Sequence, residues 1–160
     1  MRLSAIVFAA LAAAGCQQDA AQPVAGNAER TSVAEAPLAK TAADPNLQWG
    51  ACPDVFPAGC QIAVLHGDPS KPNADVFLRV PAGYSIPPHS HSSPERMILV
   101  TGALRVQYQG HPETMLRAGS YAFGPAKLPH EGTCAAGEAC TLFIAFEGPV
   151  DVEPFTGTIE

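Results

Sequence analysis

The sequence predicts an all-β domain built from short antiparallel strands. Its 160 residues include 16 prolines and 14 glycines, which separate apolar, β-branched runs of only a few residues. Residues 103–109 show the strand pattern most clearly, because Leu104, Val106 and Tyr108 alternate with polar side chains. Such alternation is typical of a strand with one face in a core and the other in water.

The predicted strands follow one another at short spacing along the second half of the chain. They cover residues 61–66, 74–80, 96–101, 103–109, 121–123 and 140–147. Gly102 is predicted to close a hairpin between two of them, and the turn residues 67–70 separate the first two. With the extended stretch near residue 90 we expect about eight strands, a number that fits a jelly-roll barrel.

Composition indicates one folded domain and argues against a nucleic-acid partner. Hydrophobic residues make up 47% of the chain, which is enough for one real core at this length. Only 15% of residues are charged and the net charge is −6, whereas binding to phosphates requires a basic surface.

The first 15 residues predict a lipoprotein-type signal peptide. One basic residue, Arg2, precedes an apolar run that is too short to span a bilayer. Residues 11–16 resemble a bacterial lipobox, in which Cys16 would carry the lipid, although Ala13 stands where leucine is usual. The alternative is an ordinary signal peptide cleaved near Ala14, with Cys16 incidental. The lipobox predicts a periplasmic protein of the bacterial cell envelope, anchored to a membrane through Cys16.

Residues 16–46 are predicted to form a disordered tether, and residues 47–160 the folded domain. The tether is rich in Ala, Gln, Pro and Thr and shows no sustained periodicity. Large apolar side chains begin with Leu47, Trp49 and Phe56, so the core is expected to start there.

Four cysteines remain if Cys16 is lipidated, and an exported protein favours their oxidation. Four cysteines allow three pairings. The local pairs, Cys52 with Cys60 and Cys134 with Cys140, are favoured because each closes a short turn-rich loop. Free buried thiols are the alternative.

Three residues between two glycines predict a metal site. His89 and His91 are two residues apart, so both imidazoles leave the same face of an extended strand. Glu95 lies four residues further on and adds an oxygen ligand on the same parity. A mixture of imidazole and carboxylate suits a first-row divalent ion.

The same stretch resembles the first conserved motif of the cupins, from Gly83 to Gly102. Residues 119–130 resemble the second, with Gly119, Pro125 and His130 at the motif positions. Two residues depart from that motif: Lys127 stands where a second glycine is usual, and Cys134 where some members have asparagine. Residues 65–91 and 148–155 further resemble the small bacterial cupins of the ChrR-like group.

The resemblance, which covers about residues 50–156, implies a cupin jelly-roll barrel, also called a double-stranded β-helix. It also implies one divalent transition metal ion bound by His89, His91, Glu95 and His130. The ligand types do not choose among Zn, Fe, Mn, Ni and Cu.

Met97 and Leu99 share the inward parity of Glu95, so we expect an apolar cavity beside the metal and a small molecule as its ligand. Two functions stay open: a metal-dependent oxygenase or isomerase, and a non-catalytic ligand-binding or sensing module. A homodimer is a further open alternative.

Overall fold

Two antiparallel sheets face one another across the domain. The computed structural model describes residues 35–160, and its compact unit runs from Leu38 to Glu160. Eleven strands follow one another along the described residues: β1 (Gly50–Ala51), β2 (Gln61–His66), β3 (Asp75–Val80), β4 (Ser85–Ser90), β5 (Glu95–Thr101), β6 (Ala103–Tyr108), β7 (Thr114–Arg117), β8 (Tyr121–Gly124), β9 (His130–Cys134), β10 (Cys140–Phe146) and β11 (Glu153–Pro154).

The larger sheet has six strands in the order β1-β2-β3-β10-β5-β8, and the smaller has five in the order β11-β4-β9-β6-β7. The main core lies between them and draws buried residues from both, such as Val76, Leu99 and Leu142 from the larger sheet and Leu104 and Val106 from the smaller. The predicted all-β jelly roll is confirmed. The inward positions of Leu104 and Val106 also match the alternation expected for residues 103–109.

The prediction of a hairpin at Gly102 was wrong. Strand β5 belongs to the six-stranded sheet and β6 to the five-stranded sheet, so Gly102 carries the chain from one sheet to the other. Its φ of +80° is left-handed, and a Cβ there would lie 2.9 Å from the carbonyl oxygen of Ala139. Only glycine fits such a position without strain. A run of alternating residues identifies a strand but not the sheet to which it belongs.

Both favoured disulfides, Cys52–Cys60 and Cys134–Cys140, are formed. The first closes the loop between β1 and β2. The second joins the end of β9 to the start of β10, and both of its cysteines are fully buried. It therefore links the two sheets at one end of the barrel.

The signal peptide and Cys16 lie outside the described residues, as does most of the predicted tether. The last part of that segment, from Leu38, belongs to the compact unit. Ala42, Leu47 and Trp49 pack with Ala63 and Phe77 in a second, smaller apolar cluster. In the described part of the chain, no helix is both long and apolar enough to cross a membrane.

Candidate metal centre

Three histidines meet in the barrel, all from the five-stranded sheet or its edge. His89 lies in β4 and is the register partner of His130, the first residue of β9. His91 follows directly after β4. Their potential ligand atoms all lie within 4.8 Å of one another, and all three side chains are buried. This cluster could hold a metal ion. His66 and His111 are not part of it.

Each imidazole is held by a backbone carbonyl through its Nδ1 atom. The acceptor is Pro87 for His89, at 2.7 Å, and Asp151 for His91, at 2.5 Å. For His130 it is Leu128, at 3.2 Å. A carbonyl oxygen only accepts hydrogen bonds, so Nδ1 carries the proton in each ring. The lone pairs of neutral imidazoles then lie on the Nε2 atoms, which is the tautomer that binds a metal.

Glu95 reaches the cluster from the opposite side of the barrel. It is the first residue of β5 in the six-stranded sheet and is only 2% exposed. The chain changes sheets at residues 92–94, so Glu95 does not continue the face of β4 as the sequence argument assumed. The Glu95 side chain still points into the barrel, because it lies on the inner face of its sheet, opposite the inner face that carries the histidines.

Both oxygens of the Glu95 carboxylate face imidazole nitrogens. Oε1 lies 3.2 Å from Nε2 of His130, and Oε2 lies 3.5 Å from Nε2 of His91. Oε1 is nevertheless buried without a hydrogen-bond partner. When Nδ1 carries the only ring proton, acceptor faces acceptor, and such a pair needs positive charge between its members. A metal cation supplies that charge, so the donor set fits a metal.

Burial and neighbouring side chains together set the charge states of two members of the site. Burial, and after it the charge of the nearby His130, lower the pKa of His89 to about 3, so this imidazole is neutral at ordinary pH. Burial alone would raise the pKa of Glu95, but the hydrogen bond and positive charge that His130 and His91 offer when their Nε2 atoms are protonated outweigh it, so in the metal-free site the pKa lies below its usual value. A neutral imidazole beside an ionised carboxylate is the state that coordinates a divalent ion.

Lys127, which stands where the second motif usually has glycine, adopts a left-handed backbone conformation. Its φ is +60°, which is left-handed and uncommon for a residue with a side chain. The turn is still made, and the Lys127 amide donates to the carbonyl oxygen of His91 at 2.8 Å. The departure from the motif therefore changes the strain in the turn and leaves the turn itself in place.

An apolar cavity opens beside the histidines. Its volume is about 80 Å³, which is room for several waters or a small organic molecule. The histidines and Glu95 line one part of it, and most of the other lining side chains are apolar, among them Phe56, Met97, Leu104, Val106 and Leu142. Strand parity predicted both Met97 and Leu99 there; Met97 lines the cavity, whereas Leu99 is fully buried in the main core and is not among the lining residues.

Two residues near the site had no functional role in the sequence analysis. Tyr108 was interpreted as a core side chain, but its ring centroid lies 5.0 Å from that of His130. Burial, and then the charge of Glu95, raise its pKa above the usual value for a phenol. Gly124 is the register partner of Glu95. The inward parity of residue 108 was a usable signal for Tyr108, whereas no local pattern marks Gly124.

A two-sheet barrel with three convergent histidines defines a cupin with a metal-binding-capable site. The chain belongs to the ChrR cupin-like domain family, whose model matches residues 40–151. No curated protein sequence matches the chain.

Several solved structures share this fold. The DMSP lyase DddQ from Ruegeria pomeroyi is 21% identical with a TM-score of 0.60, and the match covers 70% of this chain and 64% of that one. A structure described as the DMSP lyases RdDddP and RnDddQII is 20% identical with a TM-score of 0.61, with the same coverage of 70% and 64%.

Rhodobacter sphaeroides SigE in complex with the anti-sigma ChrR is 21% identical with a TM-score of 0.50, over 63% of this chain and 49% of that one. The present chain thus spans less than two thirds of these relatives. At such identities the likeness shows the fold alone.

Proposed function

We propose that the protein binds one divalent transition metal ion through His89, His91, His130 and Glu95, and that it binds a small, largely apolar molecule with an oxygen donor beside that ion. The observation that carries this proposal is the convergence of three Nε2 lone pairs at the wall of an apolar cavity. When bound, the metal would supply Lewis-acid or oxygen chemistry at an open coordination position.

The charges around the cavity limit what the ligand can be. A divalent ion with one carboxylate and three neutral imidazoles leaves one positive charge. Among the described residues that line the cavity, none is Lys or Arg. A second negative charge on the ligand would therefore be buried without a partner, which is costly. We propose a neutral or singly negative ligand.

The chain's own residues have separate tasks in this proposal. The carbonyls of Pro87, Leu128 and Asp151 fix the three imidazoles, and Glu95 provides negative charge on the facing side. The apolar walls exclude water from the ligand and accommodate its hydrocarbon part. Oxygenation or isomerisation are the reaction classes that this arrangement supports, since neither needs a nucleotide cofactor.

A non-catalytic ligand sensor is the second candidate, and family membership favours it. The family takes its name from ChrR, and the ChrR structure of similar fold is an anti-sigma protein bound to SigE. In such a sensor the metal shapes the ligand cavity. Binding of the ligand is then the signal, and no product is formed.

We propose a location in the bacterial cell envelope, with the domain anchored through a lipid on Cys16. The support is the lipobox-like sequence at residues 11–16 together with the two disulfides, which fit an oxidising compartment. Intact-mass analysis of the exported protein tests this location. A mature chain beginning at Gln17 without an acyl group would contradict it.

Ligand screening of the reconstituted protein tests the function. Protein loaded separately with Fe²⁺, Mn²⁺ or Zn²⁺ is mixed with hexanoate, adipate and hexanamide, which share a chain length but differ in charge. We expect hexanoate to raise the thermal midpoint of metal-loaded protein and adipate to have little effect. Equal stabilisation by adipate, or stabilisation that does not depend on metal, would contradict the proposal. A broader small-molecule screen then reads product formation, and ligands recovered unchanged with every metal favour the sensor.

A further inference from the structure

Tyr108 enters the site from the strand next to the one that carries His130. It is the last residue of β6, and its register partner in β9 is His130 itself. The two rings lie 5.0 Å apart at their centroids with a tilt of 36° between their planes. The ring packs at the edge of the main core, which accounts for the ring but not for the hydroxyl group.

The Tyr108 hydroxyl and the Glu95 carboxylate share an unusual property. Oη of Tyr108 and Oε1 of Glu95 are both buried, and neither has a hydrogen-bond partner among the described residues. Leaving such a group unpaired costs about 1–3 kcal/mol. Tyr108 offers an unpaired donor and Glu95 an unpaired acceptor, so a hydrogen bond between the two groups would satisfy both.

Gly124 shows that the two atoms border the same small volume. A Cβ at this residue would lie 2.9 Å from Oε1 of Glu95 and 3.2 Å from Oη of Tyr108. Since Gly124 also pairs with Glu95 in the sheet, the absence of a side chain there leaves the carboxylate and the phenol open to each other. The side chain of any other residue would crowd both the Glu95 carboxylate and the Tyr108 hydroxyl.

We propose that Tyr108 is a positioning residue of the metal centre, whose hydroxyl donates a hydrogen bond to the Glu95 carboxylate, directly or through one water. The bond fixes the rotation of the carboxylate, so that its oxygens stay turned towards His91 and His130. This inference rests on the proposed metal site but adds to it, because it assigns a role to a side chain outside the proposed ligand set. Hydrogen bonds of this kind commonly change metal affinity about 10-fold to 100-fold.

The test compares Tyr108→Phe with Tyr84→Phe. The first variant keeps the ring and removes only the oxygen beside Glu95. The second removes a hydroxyl that donates to the carbonyl oxygen of Pro57, away from the carboxylate. Zn²⁺ affinity is measured by competition with a chelator, and the visible spectrum of Co²⁺-loaded protein reports the ligand geometry.

We expect Tyr108→Phe to weaken Zn²⁺ binding by about 10-fold to 100-fold and to shift the Co²⁺ bands, while Tyr84→Phe changes neither. The thermal midpoint of metal-free Tyr108→Phe should fall only slightly, because the ring and its packing stay and one hydrogen bond to Glu95 is lost. Unchanged Zn²⁺ affinity and Co²⁺ bands in Tyr108→Phe would overturn this inference and leave the metal site standing. Wild-type protein that binds no metal would overturn both.

Discussion

Nε2 of His130 lies 3.2 Å from Oε1 of Glu95, although the two residues come from different sheets of the barrel. Neither sheet alone holds the site. The histidines are fixed by backbone carbonyls on one side, and the carboxylate is presented from the other. Changes that move one sheet relative to the other should therefore affect metal binding before they affect the fold.

The stability of the metal-free protein should fall as pH drops below 6.5. The pKa of His89 is about 3 in the folded protein, against an ordinary value of 6.5, so the unfolded chain binds a proton that the folded chain does not. Stability is therefore full above pH 6.5 and is lost progressively towards pH 3. Between pH 7 and pH 5 the loss should be about 2 kcal/mol.

Urea unfolding in the presence of a chelator measures this dependence. In His89→Gln the free energy of unfolding should depend much less on pH. In His111→Gln, a change at an exposed histidine, the pH dependence should match that of wild type. If His89→Gln and wild type had the same pH dependence of stability, another titrating group would be responsible for it.

Replacing Gly124 by alanine should damage the metal centre and the fold together. The new Cβ would stand 2.9 Å from Cγ and Oε1 of Glu95, so the carboxylate must move. We expect weaker metal binding and a loss of roughly 1–3 kcal/mol in the free energy of unfolding. Gly50→Ala is the matched control, because its Cβ would meet only the carbonyl oxygen of Ile62, at 3.9 Å. Equal behaviour of the two variants would count against the crowding argument.

Replacing Lys127 by glycine should stabilise the protein. The residue has a φ of +60° and an exposed side chain, so the substitution relieves backbone strain and loses no packing. The gain should be roughly 0.5–1 kcal/mol, because relief of strain exceeds the added entropy of the unfolded chain. Lys127→Ala retains the Cβ and should show no such gain in a urea titration. If Lys127→Ala were stabilised by the same amount, removal of the Lys127 charge, and not relief of backbone strain, would be the cause.

Phe56 should control the length of ligand that the cavity accepts. Its ring lies 5.1 Å from that of His89, on the loop that the Cys52–Cys60 disulfide closes. Phe56→Ala should improve the binding of longer aliphatic monocarboxylates relative to hexanoate, without changing metal content. Phe123→Ala, on an exposed outer position, should leave the preference as it is. Calorimetric titration of a chain-length series gives the comparison, and an unaltered preference in Phe56→Ala would remove this residue from the ligand site.

Much of the barrel could be predicted from the sequence because alternation is a local property. The predicted strand at residues 61–66 coincides with β2, and residues 140–147 contain β10. Four strands were missed: β1, β7, β9 and β11. Strands β1 and β11 have two residues and β7 has four, too few to show a period, and β9 lacks apolar side chains at its alternate positions. The sheet change at Gly102 was missed because it depends on contacts far along the chain.

In the candidate site, too, local patterns could be predicted from the sequence and contacts between remote residues could not. Spacing identified His89, His91 and Glu95, and the cupin resemblance added His130. The unpaired Tyr108 hydroxyl and the role of Gly124 could not be predicted, because both depend on the distance between strands that are remote in sequence. Local pattern therefore predicts which residues face inward, and only the folded chain brings the phenol and the carboxylate together.

The metal content of purified protein tests the central claim most directly. Elemental analysis of wild type should find one divalent ion per chain, and His91→Ala should lose it, because the substitution removes an Nε2 atom from the cluster. His111→Ala should retain the ion, since His111 lies outside the cluster. Equal metal content in wild type and His91→Ala would contradict the account.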